Sequence, residues 1–164
     1  MNSIDYISLS SRLNSLIVSS RPVTAFSNAS SFLFHELNDV SWLGFYFYDP
    51  VIDKLILGPF QGKPACVEIG CGNGVCGHAF EIGSTVVVPD VHDFPGHIAC
   101  DADSRSEIVA PIRIRGTVAA LLDIDSITLG RFSDQDAAGL KEVVRVIENY
   151  SEIHYPFDFL STKG

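Results

Sequence analysis

Residues 58–83 are crowded with glycine and carry Pro59 and Pro64, so no helix or strand can run uninterrupted through the middle of this chain. Only a short helix over 75–82 fits there. The regular structure that builds a core must therefore come from the two flanks. On the N-terminal side, Ile4, Ile7, Leu13, Leu16 and Ile17 recur at helical spacing until Arg21-Pro22 stops them, and a second helix is predicted over 23–37. The aromatic run 41–49 reads as a strand, 50–53 as a turn and 54–57 as the hairpin partner. On the C-terminal side, 85–88 is a short buried strand and 89–104 a loop long enough to suggest function. Residues 106–113 and 117–126 read as two strands joined by a tight turn at 114–116. A capped helix start at Ser133-Asp134-Gln135-Asp136 precedes a stripe of Leu140, Val143, Val144 and Ile147. Residues 151–164 carry no assignment. With no repeat and no linker, 164 residues predict one α+β domain (1–164). Its sheet has about five or six mainly antiparallel strands, with helices from both chain ends packed on it.

Eleven basic against twenty acidic residues give a net charge of −9, which repels phosphate backbones and anionic lipid heads. Nucleic acid and membrane surfaces are thus not expected partners. Apolar runs such as 16–18 and 86–88 are far shorter than the roughly 20 residues of a membrane helix. The first ten residues lack Lys and Arg and no seven-residue apolar stretch follows, so a cytoplasmic setting is expected. In a reducing compartment Cys66, Cys71, Cys76 and Cys100 would rest as thiols, and a disulfide among them would be transient and catalytic.

Those cysteines have Gly, Pro, Asp and His neighbours, which predicts accessible thiols, although free cysteine is also a common small core residue. Zinc is the first competing use, with His78, His92, His97 and the cysteines as ligands. The nearest pairs are Cys71-x4-Cys76 and His97-x2-Cys100, without a second matching pair, so no metal is expected. No local pattern around Cys100 suggests a Cys/His hydrolase, and residues 70–74 lack the remainder of a phosphate loop or dinucleotide fingerprint. No cofactor is expected. Asp123 and Asp125, two apart on a strand, share one face, and Glu107 can reach it from the adjoining strand. If that face is enclosed, at least one carboxyl has a raised pKa or a cationic partner; a solvated strand end is the alternative. Trp42 and Tyr46 likewise share a face, as a ligand-facing wall or as core packing.

The segments LGPFQGKPAC (57–66), GVCG (74–77), VPDVHDFPGHIACDADSRSEIVAPI (88–112) and LLDIDS (121–126) resemble the free methionine-R-sulfoxide reductases, a single-domain branch of the GAF fold, over residues 23–150. The resemblance implies Cys100 as nucleophile, Cys66 as resolving thiol and Cys76 as auxiliary resolving thiol. It implies that Glu107, Asp123 and Asp125 bind the substrate amine and polarise the sulfoxide, and that Trp42 and Tyr46 wall the methylsulfinyl group. The R-epimer preference, regeneration by thioredoxin or a similar dithiol, and a homodimer are carried by the same resemblance. Cys71 departs from the pattern, replacing an expected apolar residue, and is a competing disulfide partner in principle. Asp101 and Asp103 beside Cys100 should raise its thiol pKa. The alternative reading is a GAF-type sensor of a small molecule or of redox state, which would oxidise once instead of turning over.

Overall fold

A computed structural model describes residues 3–97 and 100–160. Helix α1 (Tyr6–Ile17) begins where the Asp5 carboxylate accepts a hydrogen bond from the Ser8 backbone N–H (3.0 Å), and α2 (Pro22–Glu36) begins on a proline, whose fixed φ suits a first helical turn. Then come β1 (Trp42–Asp49), β2 (Lys54–Gln61), β3 (Glu68–Gly70), α3 (Gly74–Ile82), β4 (Val86–Val88), β5 (Ser106–Ile114), β6 (Thr117–Ser126) and α4 (Asp134–His154). Strands lie in the order β3-β2-β1-β6-β5-β4, and every neighbouring pair is antiparallel.

Alternation along the three central strands divides the sheet into two differently used faces. Leu43, Phe45 and Phe47 of β1, Ile108, Ala110 and Ile112 of β5, and Leu122 and Ile124 of β6 bury themselves against α1, α2 and α4. Trp42, Tyr46, Val109 and Leu121, of opposite parity, form a smaller cluster with α3. The helices on the larger core are pinned together by a polar junction. Asp136 completes a capping box with Ser133, accepts a 2.6 Å hydrogen bond from the Tyr6 hydroxyl, and pairs with Arg131 at 3.1 Å.

Three departures from the sequence reading have local causes. Strand β2 continues to Gln61 instead of stopping at 57, because Gly58 and Pro59 fall where the β1–β2 register shifts between Gly44 and Tyr46. A bulge there tolerates a missing donor. Strand β3, inside the glycine-crowded stretch, is a three-residue edge added by pairing with Lys54–Ile56. The tail is ordered packing: α4 runs on to His154, and Phe157 then buries its ring 5.2 Å from that of Phe26 and 5.7 Å from that of Phe47. Residues 161–164 of the unassigned tail lie outside the described residues.

Candidate active site

The register of β1, β6 and β5 sets the site. Trp42 pairs with Asp125, and Asp125 with Glu107, so one aromatic and two acids form a row across three strands. In the next row Gly44 pairs with Asp123, and Asp123 with Val109. Glycine is required at 44, because a Cβ there would collide with the Trp42 indole and with Phe60. The indole stacks on Phe60 at 5.4 Å and on Tyr46 at 6.1 Å, making a flat wall at one side of the acids. Helix α3 covers the other side, with Cys76 in its first turn. Together they bound a pocket of about 550 Å³, open mouth included, that Cys100, Asp101 and His97 also line.

Electrostatics inside the pocket are dominated by withdrawal from water. Glu107 and Asp123 are buried, and Asp125 is partly so. Burial pushes all three carboxyls up; for Glu107 and Asp125 the shift is large, and the charge of Asp123 adds to it. Asp123 is held back by accepting from Glu107 and Cys76. Glu107 and Asp125 are thus the proton holders and Asp123 the first of the three to ionise. Cys76 Sγ lies 4.0 Å from Glu107 Oε1, and burial, then the neighbouring acids, drives its thiol well above the ordinary range. Such a floor can donate protons and can bind an ammonium group.

Above the floor, Cys66 and Cys100 are joined in a disulfide, with Cα atoms 5.6 Å apart across 34 residues of sequence. Two aromatic side chains anchor the strap that carries Cys66. Trp42 Nε1–H donates to the Lys63 carbonyl (3.0 Å) and the Tyr46 hydroxyl to the Cys66 carbonyl (2.9 Å). Lys63 then ties this strap to the loop of Cys100, placing its ammonium 2.7 Å from Asp103 Oδ2 and 3.6 Å from Asp101 Oδ1. Its hydrogen bond lowers the Asp103 carboxyl, so the negative charge flanking Cys100 arrives already paired with a cation.

The structure brings Trp42, Tyr46, Cys76, Cys100, Glu107, Asp123 and Asp125 to one pocket, and Cys66 to it through the disulfide. The solvated-strand-end alternative for the acids fails, because β5 and α3 enclose them. For Trp42 and Tyr46 both readings hold at once: they are buried and they wall the pocket. The expectation of accessible thiols is corrected at Cys76, which helix α3 buries against the sheet. Cys71 points away from this chemistry. Its Sγ lies 3.7 Å from the Asp53 carbonyl and 3.8 Å from the Asp53 carboxylate, and it does not line the pocket. Sequence reasoning missed Phe60 and Lys63. The one signal for Lys63 was an isolated cation facing a chain segment rich in aspartate.

Known proteins resemble this chain along most of its length. Residues 8–150 match the GAF domain. The free methionine-R-sulfoxide reductase of Escherichia coli is 44% identical over 144 residues, spanning 87% of this chain and 86% of the relative. Among solved structures, reduced fRMsr of Staphylococcus aureus is 45% identical and superposes with a TM-score of 0.85, covering 91% of this chain and 96% of that one. Free methionine-R-sulfoxide reductase from Neisseria meningitidis in complex with its substrate is 37% identical, with a TM-score of 0.88 and coverage of 94% and 95%. With this fold and these relatives, the chain belongs to the GAF domain family, in the branch that holds the free methionine-R-sulfoxide reductases.

Proposed function

We propose that this protein reduces free L-methionine (R)-S-oxide to L-methionine by thiol chemistry. The observation that carries this reading is a disulfide, Cys66–Cys100, seated over a pocket whose floor holds two proton-retaining acids, Glu107 and Asp125, beside the more readily ionised Asp123. The substrate ammonium pairs with the acid that ionises first, Asp123, which is a contact a methionine inside a peptide does not offer. The methylsulfinyl group lies against Trp42 and Tyr46, and Glu107 or Asp125 protonates its oxygen. Cys100 Sγ attacks the sulfoxide sulfur; the oxygen passes to Cys100 as a sulfenic acid and methionine leaves. Cys66 Sγ then attacks the Cys100 sulfur, expels water and closes the disulfide. A dithiol protein of the thioredoxin class then donates two electrons by thiol–disulfide exchange, returning Cys66 and Cys100 to thiols and itself becoming a disulfide, with no bound cofactor needed.

Cys66 suits the resolving step better than Cys76. Resolution requires a thiolate, and the Cys76 thiol is held protonated by burial and by the acids around it, which leaves it an auxiliary role. The Lys63 ammonium partly offsets Asp101 and Asp103, so their negative charge weighs less on Cys100 than their sequence positions alone suggest. The family likeness supports a compartment that is reducing, hence cytoplasmic, and a homodimer; no helix among the described residues is long and apolar enough to cross a membrane.

The test is to incubate reduced protein with each free methionine sulfoxide epimer and excess dithiothreitol and to quantify methionine. Many equivalents from the R epimer, and few from the S, are expected; one equivalent at most would instead identify a redox sensor. In the double variant Asp123→Asn, Asp125→Asn turnover should fall by roughly 100-fold or more while the fold persists. Undiminished turnover would remove both acids from the mechanism.

A further inference from the structure

We infer that the pocket floor is also a binding site for a thiophilic divalent cation of the zinc class, held by the Cys76 sulfur and the Glu107 and Asp123 carboxylates. The metal arrangements weighed from sequence spacing rely on close Cys and His pairs. The fold assembles a different set, from α3, β5 and β6, that no local spacing displays. One ligand atom from each of these residues lies within 4.8 Å of the other two, and all three residues are buried. Metal–sulfur and metal–oxygen bonds of about 2.3 and 2.0 Å in a tetrahedral site put ligand atoms about 3.5 Å apart. The Cys76 Sγ to Glu107 Oε1 distance is 4.0 Å, so small side-chain rotations close the set around an ion.

A second observation points to a missing partner. Asp123 is 6% exposed, and its Oδ1, in a residue lining the pocket, has no hydrogen-bond partner. A buried carboxylate oxygen without a partner is costly, and a cation within bonding reach relieves that cost. Cys76 lies in the first turn of the nine-residue α3, buried against the sheet beside the two acids. On binding, the Cys76 S–H bond breaks and a sulfur–metal bond forms; that proton and the proton of Glu107 leave to solvent, and no oxidation state changes. Three protein ligands leave a fourth position facing the pocket. One sulfur and only two carboxylates suit zinc or cadmium and not magnesium, which demands six oxygens. An ion here would displace a substrate ammonium from Asp123; that consequence, though not the site, rests on the function proposed above.

The experiment reads binding directly and is independent of turnover. Oxidised protein, with Cys66–Cys100 intact and Cys71→Ser in the background, keeps Cys76 as its one thiol. Titration with cadmium should raise an ultraviolet sulfur-to-metal absorbance band that saturates at one equivalent, and calorimetry should give one zinc per chain and no magnesium binding. Cys76→Ser should abolish the band, and Asp123→Asn or Glu107→Gln should weaken zinc by more than the roughly tenfold that loss of an outer-shell partner costs. No band, magnesium binding as tight as zinc, or unchanged zinc affinity in a folded Cys76→Ser protein would overturn the inference. Should a variant unfold, anomalous scattering from zinc-soaked crystals of the parent decides: a peak within bonding distance of Cys76 Sγ supports the site, and peaks only elsewhere refute it.

Discussion

Cys66 and Cys100 sit in different electrostatic company. Cys66 is carried by a strap that Trp42 and Tyr46 hold by backbone carbonyls, whereas Cys100 sits beside two aspartates that Lys63 partly neutralises. If their roles are divided as proposed, the two serine variants fail differently. Cys100→Ser should release no methionine even when enzyme exceeds substrate. Cys66→Ser should release about one equivalent and then stall, with a sulfenic acid on Cys100 detectable by mass spectrometry after dimedone trapping. Release by Cys100→Ser, or unimpeded turnover by Cys66→Ser with reduced thioredoxin as the only reductant, would reverse or cancel the assignment. The acids Asp123 and Asp125 were legible as a pair because a spacing of two on a strand forces a common face. Lys63 was not legible, since its partners lie about forty residues away and only loop geometry brings them within reach.

Helix α3 shows how one small residue governs an element. A Cβ on Gly77 would lie 2.6 Å from the Gly70 carbonyl oxygen and 2.9 Å from the Gly72 nitrogen, both backbone atoms that cannot swing aside. Gly77 also donates to the Asn73 carbonyl and accepts from the Gly72 N–H, each at 3.0 Å, which seats the helix on the preceding turn. Gly77→Ala should therefore destabilise the fold by about 1–3 kcal/mol, as overpacking does, and displace Cys76 from the pocket floor. Chemical denaturation measures the first effect. The second appears as faster alkylation of Cys76 in the oxidised protein; a variant as stable and as protected as the parent would refute this account. The short helix over 75–82 was readable because glycine and proline leave room for nothing longer there. Its seating was not, because it depends on the turn at 70–72 folding back beneath it.

Burying three carboxyls on one side of a sheet affects the stability of the whole molecule. Their protons are held more tightly folded than unfolded, so above the ordinary carboxylate range the unfolded chain has released them while the native pocket retains them. Stability should fall as pH rises above the ordinary carboxylate range of about 4, opposite in sign to the contribution of Asp136, whose lowered carboxyl costs stability only in stronger acid. Thermal melts of the oxidised protein across this range should show that decline, and Glu107→Gln, which cannot ionise, should make it shallower. An identical slope in the variant would mean that Glu107 holds no extra proton. Periodicity and turn chemistry act between residues near in sequence, so the chain alone determined the terminal helices, the alternating strands and the face shared by Asp123 and Asp125. Whether that face met water or a closed pocket, which sulfurs met, and that Cys76 would be buried among acids were decided only by tertiary structure. These outcomes depend on strand register and on loops closing over one face of the sheet, and no local pattern encodes either.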